Sequence, residues 1–321
     1  MSAGRSSSRT GIALRDPLPW DDVVEIVQTA EATGYDTLFL PEVGARETFS
    51  TLAALAGRTS GIGLATGVVT IGARRVGVTA MAAATVHDVS GGRMILGLGT
   101  GAPSRGALDE LAAYVRDVRE LFAGRTVSRE TGEPFRLGIA VQPPPPVWIA
   151  ALGPKSVELG GRVADGVILN WCTPRRVADA RRSIREVARS AGRDPGEVTV
   201  AVYVRAVVGQ EPEHAMPSLR AAAAQYASYP AYARQFAAMG LGDAARAAAE
   251  ALRSGRLVGV PEKLIRSVAA VGDARQAMGR IDEYRAAGAD VVVVYPVAVL
   301  EPASSILATL FALAPRPAVE A

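Results

Sequence analysis

The stretch GLATGVVTIGARRVGVTAMAAATVHDVSGGRMILGLGTG, residues 63 to 101, decides the fold because it holds two strands that each end in glycine. An apolar run at 63–69 predicts a short strand, the small residues of 78–86 predict a helix, and 94–98 predict a second strand. Glycine at a strand end lets a ligand approach the backbone closely. The stretch therefore predicts a strand-helix-strand unit with a binding site at the strand ends.

The same alternation of strand and helix continues along the whole chain of 321 residues. Apolar runs predict eight strands, near 10–14, 36–40, 62–69, 93–98, 146–150, 166–170, 198–208 and 290–295. Amphipathic segments predict a helix after each strand, near 21–33, 48–58, 75–89, 107–122, 154–163, 174–191, 273–287 and 302–313. Eight such units predict an α/β fold of the (β/α)₈ TIM barrel type, because repeated right-handed crossovers close a parallel sheet.

The predicted barrel is a single catalytic domain that covers residues 10–315. Residues 1–9 are polar and basic, which predicts a disordered start, and 316–321 form a tail. An alanine-rich segment at about 211–259 is predicted to be a helical insertion after the seventh strand. It either packs on the barrel or covers a substrate, since everything that follows a barrel strand lies on the active face.

Composition limits the function classes that need to be considered. No apolar run approaches the roughly 20 residues of a membrane helix, so we expect a soluble, cytoplasmic protein. One cysteine and two histidines make a metal site improbable, so any cofactor is expected to be organic. The net charge of +3 is spread over scattered arginines, which does not support nucleic-acid binding.

Several motifs together resemble the bacterial luciferase-like superfamily, in particular its branch that uses the deazaflavin coenzyme F420, such as the methylenetetrahydromethanopterin reductases. The matching motifs are LPE at 40–42, ATGVV at 65–69, RRVGVTAMAAAT at 74–85, SGGR at 90–93, GLGTG at 97–101, ALGPKSVELGGRVADGVILNW at 151–171, VAVYVRA at 200–206 and EYRAAGADVVVVYPV at 283–297. The resemblance implies the same barrel, a homodimer, a small-molecule substrate, and hydride transfer at C5 of the deazaflavin.

The resemblance also implies where the coenzyme binds. In the family a non-prolyl cis peptide, matched here by Gly67–Val68, forms a bulge behind the deazaflavin ring. The neighbouring residues implied in coenzyme binding are Thr66, Arg74, Gly99, Thr100 and Gly101. GLGTG does not fit a dinucleotide fingerprint, because its last glycine comes one residue early and no acidic partner is well placed.

The loop from Leu152 through Gly153, Pro154 and Lys155 to Ser156 is a candidate anion site. It joins the fifth strand to a helix, and backbone N–H groups at a helix start favour an anion. Lys155 adds a full positive charge, and the chain has only one other lysine, Lys263. By resemblance, this loop binds the phosphate of the coenzyme.

Two carboxylates and one strand end complete the predicted site. Glu42 follows the second strand and is the best-placed carboxylate for proton exchange with a substrate, and Glu47 stands where relatives often show aspartate. A desolvated carboxylate can have a pKa near neutrality and act as a general acid or base. Glu47 could instead cap a helix. Asn170 and Trp171 resemble a pair that packs near the coenzyme.

The sequence leaves the cofactor and the substrate open. The same barrel could use FMN in a luciferase-like monooxygenase, or it could bind F420 without catalysis. Arg75 and Val76 replace the small residue and proline that are usual in the family, and the segment after GLGTG is short. The short segment indicates a more open or differently capped substrate site than is usual in the family.

Overall fold

The computed structural model describes residues 9–15, 17–102, 104–128 and 132–315. Its strands are β1 (Arg9–Ala13), β2 (Thr37–Leu40), β3 (Gly63–Thr66), β4 (Val69–Thr70), β5 (Met94–Gly99), β6 (Val147–Ala150), β7 (Gly166–Asn170), β8 (Thr199–Val208), β9 (Ala269–Gly272) and β10 (Val291–Pro296). Its α-helices are α1 (Trp20–Ala32), α2 (Thr48–Ala56), α3 (Val76–Val89), α4 (Ala107–Phe122), α5 (Pro154–Val163), α6 (Pro174–Ser190), α7 (Pro212–Ala227), α8 (Pro230–Ala238), α9 (Gly242–Arg253), α10 (Glu262–Val268), α11 (Ala274–Ala286) and α12 (Pro302–Ala312).

Eight parallel strands close into a barrel in the order β1, β2, β3, β5, β6, β7, β8 and β10, and β10 then pairs with β1. The barrel closes because each strand is followed by a helix that crosses back over the outside. The predicted (β/α)₈ barrel is therefore confirmed. All eight predicted strands and their following helices are present, and most boundaries agree to within about two residues.

Side chains alternate along each strand between the barrel interior and the layer under the helices. On β8, Val200, Val202 and Val204 pack in the outer layer, whereas Ala201 and Tyr203 belong to the interior cluster. Phe39, Trp148 and Ile168 fill the same interior from other strands. The interior is thus packed, and any site must lie at its end.

The structure differs from the predicted boundaries at three places. Arg9 opens β1, so the strand begins inside the segment predicted to be disordered; the rest of that start, and the tail, lie outside the described residues. The insertion after β8 runs beyond residue 259, since α7, α8 and α9 are followed by α10. The short strand β9 was not predicted; it pairs with β8 from Arg205↔Ala269 onward, beyond the point where β7 ends.

Candidate active site

A bulge at the end of β3 shapes one side of the barrel mouth. The pairing of β3 with β5 stops at Ala65↔Ile95 and resumes through β4 at Val69↔Leu98. The chain between β3 and β4 therefore takes four residue steps where β5 takes three, so it carries one extra residue. The Thr66 hydroxyl bridges the gap, since it donates to Gly97 O and accepts from Gly97 N, both at 2.8 Å. The Gly67–Val68 peptide within the bulge is cis, as the resemblance implied.

Three glycines give the bulge room to form. A Cβ on Gly67 would lie 2.0 Å from the Tyr203 hydroxyl oxygen, and one on Gly97 would lie 2.1 Å from the backbone oxygen of Thr66. A Cβ on Gly99 would lie 2.8 Å from a methyl of Val68. No side chain fits at these distances, so the glycines of the GLGTG motif serve close backbone packing at this bulge.

The predicted carboxylates meet one arginine beside the bulge. Arg74 donates from Nε and Nη2 to the two oxygens of Glu42, at 3.0 and 3.2 Å, and Nη2 also bonds to Glu47. Its guanidinium lies 5.0 Å from the ring of Phe49. The Glu42 amide donates to Val68 O at 3.4 Å, which ties the carboxylate to the bulge. Glu42, Glu47 and Arg74 therefore form one network that bears a net charge of −1.

Glu47 is engaged as the N-cap of α2. Its carboxylate accepts from the amides of Phe49 and Ser50, at 3.2 and 2.6 Å. Burial pushes the pKa of Glu47 up, but hydrogen bonds from Ser50 and Phe49 and the charge of Arg74 outweigh it, and the pKa falls below its ordinary value. This direction is opposite to the rise that was expected of a general acid near neutrality.

The loop after β6 has the features of an anion site. Pro154 is the first residue of α5, and the amides of Lys155 and Ser156 lie in the first turn, where no helical acceptor exists. Lys155 is exposed and makes no ion pair with the described part of the chain. A Cβ on Gly153 would have no atom of the described residues within 4 Å, so the backbone is open to approach. The Leu152 amide donates to the Ser156 hydroxyl at 3.1 Å, and Arg176 donates to Leu152 O at 2.9 Å.

The opposite side of the mouth is aromatic and is built around Arg205. Its guanidinium carbon lies 4.6, 5.0 and 4.2 Å from the rings of Trp171, Tyr226 and Tyr295. Asn170 accepts a hydrogen bond from Arg205 through Oδ1 and donates through Nδ2 to the Tyr232 hydroxyl at 2.8 Å. Helices α7 and α8 of the insertion thus pack directly on the ends of β7 and β8.

Trp171 holds an uncommon backbone conformation at this junction, with φ of 51°. Gln235 on α8 donates to the backbone oxygens of Asn170 and Trp171, each at 2.8 Å. The Trp171 ring is buried between Arg205 and the core of the insertion, and its Nε1 has no acceptor in the described part of the chain. Trp171 therefore joins the insertion to the mouth.

The predicted residues all lie at the carboxyl ends of the strands, in four groups. The bulge is surrounded by Glu42, Glu47, Thr66, Gly67, Val68, Arg74 and Gly99; Thr100 and Gly101 follow β5, Leu152 to Ser156 follow β6, and Asn170 ends β7 with Trp171 directly after it. Gly101 has a φ of 72° and turns the chain away from the barrel. The Tyr203 hydroxyl, 3.3 Å from Gly67 O, connects the bulge to the aromatic side.

Comparison with known proteins identifies the family. The family model described as luciferase-like monooxygenase matches residues 3–291. The chain belongs to this family. The resemblance predicted from its motifs is confirmed.

One of the curated proteins similar to the chain is a reductase. The chain is 34% identical over 203 residues to the 5,10-methylenetetrahydromethanopterin reductase of Methanolobus tindarius. The matched segment covers 58% of this chain and 62% of that protein. The chain thus matches less than two thirds of that relative's length.

Two solved structures show the same fold. The coenzyme F420 dependent tetrahydromethanopterin reductase of Methanopyrus kandleri has a TM-score of 0.76 at 20% identity, over 95% of this chain and 97% of that one. A monooxygenase from Streptomyces bottropensis has a TM-score of 0.71 at 21% identity, over 95% of this chain and 97% of that one.

The sequence prediction missed the central residue of the aromatic side. Arg205 was quoted only within the motif VAVYVRA, yet it continues the inward series of Ala201 and Tyr203 at a spacing of two. That spacing places it at the mouth of any closed barrel. Strand alternation was therefore the signal that could have found it.

Two other features were sought in the described residues, a metal site and a membrane-spanning helix. Within residues 9–315, apart from the gaps given above, the acidic, histidine and cysteine side chains form no cluster that could hold a metal ion. None of the helices in those residues combines the length and apolar character that a membrane crossing needs.

Proposed function

We propose that the chain is a coenzyme F420-dependent oxidoreductase that moves a hydride between C5 of the deazaflavin and a small organic substrate at the barrel mouth. The observation that carries the proposal is the bulge at Gly67–Val68, which three glycines accommodate at the position where the resemblance places the ring. The similarity to reductases, one of them named as F420 dependent, supports the same coenzyme.

The residues present fit such a coenzyme. The loop of residues 152–156 offers first-turn amides, an open backbone at Gly153 and a lysine that forms no ion pair with any described residue, which suits a phosphate. Thr66 and Gly97 hold the bulge that would face the ring, and the Tyr203 hydroxyl donates to the Gly67 carbonyl within it. When bound, the coenzyme supplies the carbon that gives or takes the hydride.

Glu42 is the side chain that we propose for the coupled proton. It lies at the end of β2 beside the bulge, and Arg74 holds both of its oxygens. To carry a proton, Glu42 must release one oxygen from Arg74, whereas Glu47 would also have to break its cap of α2. Glu42→Gln should therefore retain coenzyme binding and lose most turnover; unchanged turnover would refute this role.

An FMN-dependent monooxygenase is the second candidate, because the family description and one structural neighbour name a monooxygenase, and FMN is the flavin that the same barrel could use. Titration of the protein with oxidised F420 and, separately, with FMN decides between them, with tryptophan fluorescence as the signal. We expect F420 to bind at least about tenfold more tightly than FMN. The reverse order favours the monooxygenase, and binding of neither refutes both.

F420 binding without hydride transfer to any acceptor would instead indicate a non-catalytic binding protein. Stopped assays with reduced F420 and a panel of carbonyl and imine acceptors test this alternative. The homodimer implied by the resemblance stays a prediction, and light scattering of the purified protein measures it directly.

Lys155→Ala should weaken F420 binding by about 1.5–3 kcal/mol, because a charge-assisted contact with a phosphate is lost. The affinity of wild type and variant is measured by the same titration. Lys263→Ala is a matched control, since Lys263 is the only other lysine and lies exposed on α10. Equal losses in both variants, or none in Lys155→Ala, would assign the phosphate to another part of the mouth.

A further inference from the structure

Arg205 is a buried cation that points into the barrel mouth. It follows Ala201 and Tyr203 on the inward side of β8 and stands opposite Tyr295 of β10 in the strand register. Only 3% of its surface is exposed. Among the described residues no carboxylate forms an ion pair with it. The mouth thus holds a positive charge that the described protein does not neutralise.

The neighbours of Arg205 stabilise it without adding negative charge. Trp171, Tyr226 and Tyr295 surround the guanidinium at 4.2–5.0 Å, in the range of cation–π attraction. One of its five N–H donors bonds to the neutral amide of Asn170. Burial raises the pKa of Tyr295, against the opposing charge of Arg205, and burial likewise raises the pKa of Tyr232. These phenols therefore stay neutral.

A buried charge without a counter-ion is costly, so its retention calls for an external anion. The guanidinium fork matches a carboxylate, and the aromatic rings around it exclude water, which strengthens such a contact. Tyr203 lies between this cation and the bulge at Gly67, so an anion here would be across the mouth from the bulge.

We propose that Arg205, framed by Trp171, Tyr226 and Tyr295, binds a carboxylate of the substrate. The substrate class is therefore an organic acid whose reacting carbon lies toward the bulge. This assignment rests on the proposed oxidoreductase function, because it takes the bulge side of the mouth to be the side of the coenzyme. Asn170 positions the guanidinium through its Oδ1, and Tyr232 positions Asn170.

Matched pairs of charged and neutral probes test the proposal. Benzoate and benzamide, and acetate and acetamide, are titrated at constant ionic strength into the free and the F420-loaded protein. Trp171 fluorescence reports binding, because its ring lies 4.6 Å from the guanidinium carbon. The variants are Arg205→Met, Arg205→Lys and Asn170→Asp, and F420 affinity and melting temperature are measured for each.

We expect wild type to bind each carboxylate at least about tenfold more tightly than its amide. Arg205→Met should abolish this preference and leave F420 affinity unchanged, and Arg205→Lys should keep part of it. Asn170→Asp should also abolish it while raising the melting temperature, because the new carboxylate becomes the counter-ion of Arg205. This second variant keeps the test decisive if Arg205→Met does not fold.

Equal affinity of wild type for the two members of each pair, absence of carboxylate binding, or a preference that survives in Arg205→Met would overturn the proposal. A fall in F420 affinity in Arg205→Met would assign the cation to the coenzyme and overturn the substrate assignment. Failure of F420 to bind wild type would refute the proposed function alone, since the probes also report on the free protein.

Discussion

Two arginines lie at the same end of the barrel in opposite electrostatic settings. Arg74, beside the bulge, bonds to the carboxylates of Glu42 and Glu47, and 16% of its side chain is exposed. Arg205, on the aromatic side, is almost fully buried and bonds to the neutral amide of Asn170. Each also lies near aromatic rings, so the carboxylates are what distinguish them.

The two arginines differ in whether neighbouring carboxylates balance their charge. The network of Arg74 satisfies its cation internally and leaves one negative charge near the bulge, whereas Arg205 leaves one positive charge opposite to it. A fixed pair of unlike charges at two sides of the barrel mouth orients a polar molecule. Under the functions proposed above, an organic acid would enter with its carboxylate toward Arg205 and its reacting carbon toward Glu42.

The largest effect is expected where the bulge side is packed most tightly. Gly97→Ala should destabilise the protein by about 3 kcal/mol or more, because its Cβ would lie 2.1 Å from a backbone oxygen of Thr66. A backbone atom cannot turn aside as a side chain can. The measurement is the urea unfolding free energy, together with F420 affinity, which should fall as the bulge is displaced.

Gly279→Ala is the matched control for this substitution. Gly279 lies in α11, and a Cβ there would meet no atom within 4 Å. We expect a gain of about 0.5–1 kcal/mol from its higher helix propensity. If Gly97→Ala is as stable as this control, the bulge is softer than the close contacts require.

The bulge side was largely predictable from the sequence, and the aromatic side was not. The stretch 63–101 holds three of its residues, Gly67, Gly97 and Gly99. The segment directly after β2 holds the two carboxylates, Glu42 and Glu47. The environment of Arg205 instead comes from β7, β8, β10 and the insertion helix α7, which only the closed barrel brings together.

The sequence also did not indicate which residues and which strands pair with one another. The contact of Arg74 with Glu42 joins residues 32 apart, and nothing in their spacing indicates it. The strand β9, AAVG, was missed because four small residues directly after a helix resemble a continuation of it. Its pairing with β8 depends on where β7 ends, which is a property of the sheet.

Replacing each arginine by methionine should separate the two settings. Arg74→Met removes a bidentate ion pair and leaves two neighbouring carboxylates, so we expect a loss of about 1–2 kcal/mol. Arg205→Met removes a buried cation that pairs with no carboxylate among the described residues, and we expect a change within about 1 kcal/mol. Urea unfolding of both variants at neutral pH measures the difference.

A double variant sharpens this comparison. Glu42→Gln combined with Arg74→Met removes the carboxylate that the arginine held, so it should recover part of the loss seen in Arg74→Met alone. If Arg205→Met proves to be the more damaging of the two, the aromatic frame stabilises the fold through its cation, and the contrast between the arginines is wrong.

The smallest expected effect is the pH dependence of the Glu47 contacts. Its pKa in the folded protein is below the ordinary value of 4.5, so its contribution to stability is present above pH 4.5 and is lost as the pH falls through the folded pKa. Because 41% of the side chain is exposed, solvent screening limits the contribution to about 0.5 kcal/mol. The difference in unfolding free energy between wild type and Glu47→Gln should therefore shrink on acidification.

Ser50→Ala isolates one cause of that lowered pKa. The Ser50 side chain and the Ser50 amide, which donates to Glu47 at 2.6 Å, both hold the pKa of Glu47 down. Removing the hydroxyl should raise the pKa of Glu47 only in part, because the two amides of the helix start and Arg74 remain. Urea unfolding from neutral to acid pH should then place Ser50→Ala between wild type and Glu47→Gln. A pH dependence in Glu47→Gln equal to that of wild type would mean that the cap contacts of α2 do not depend on the charge of Glu47.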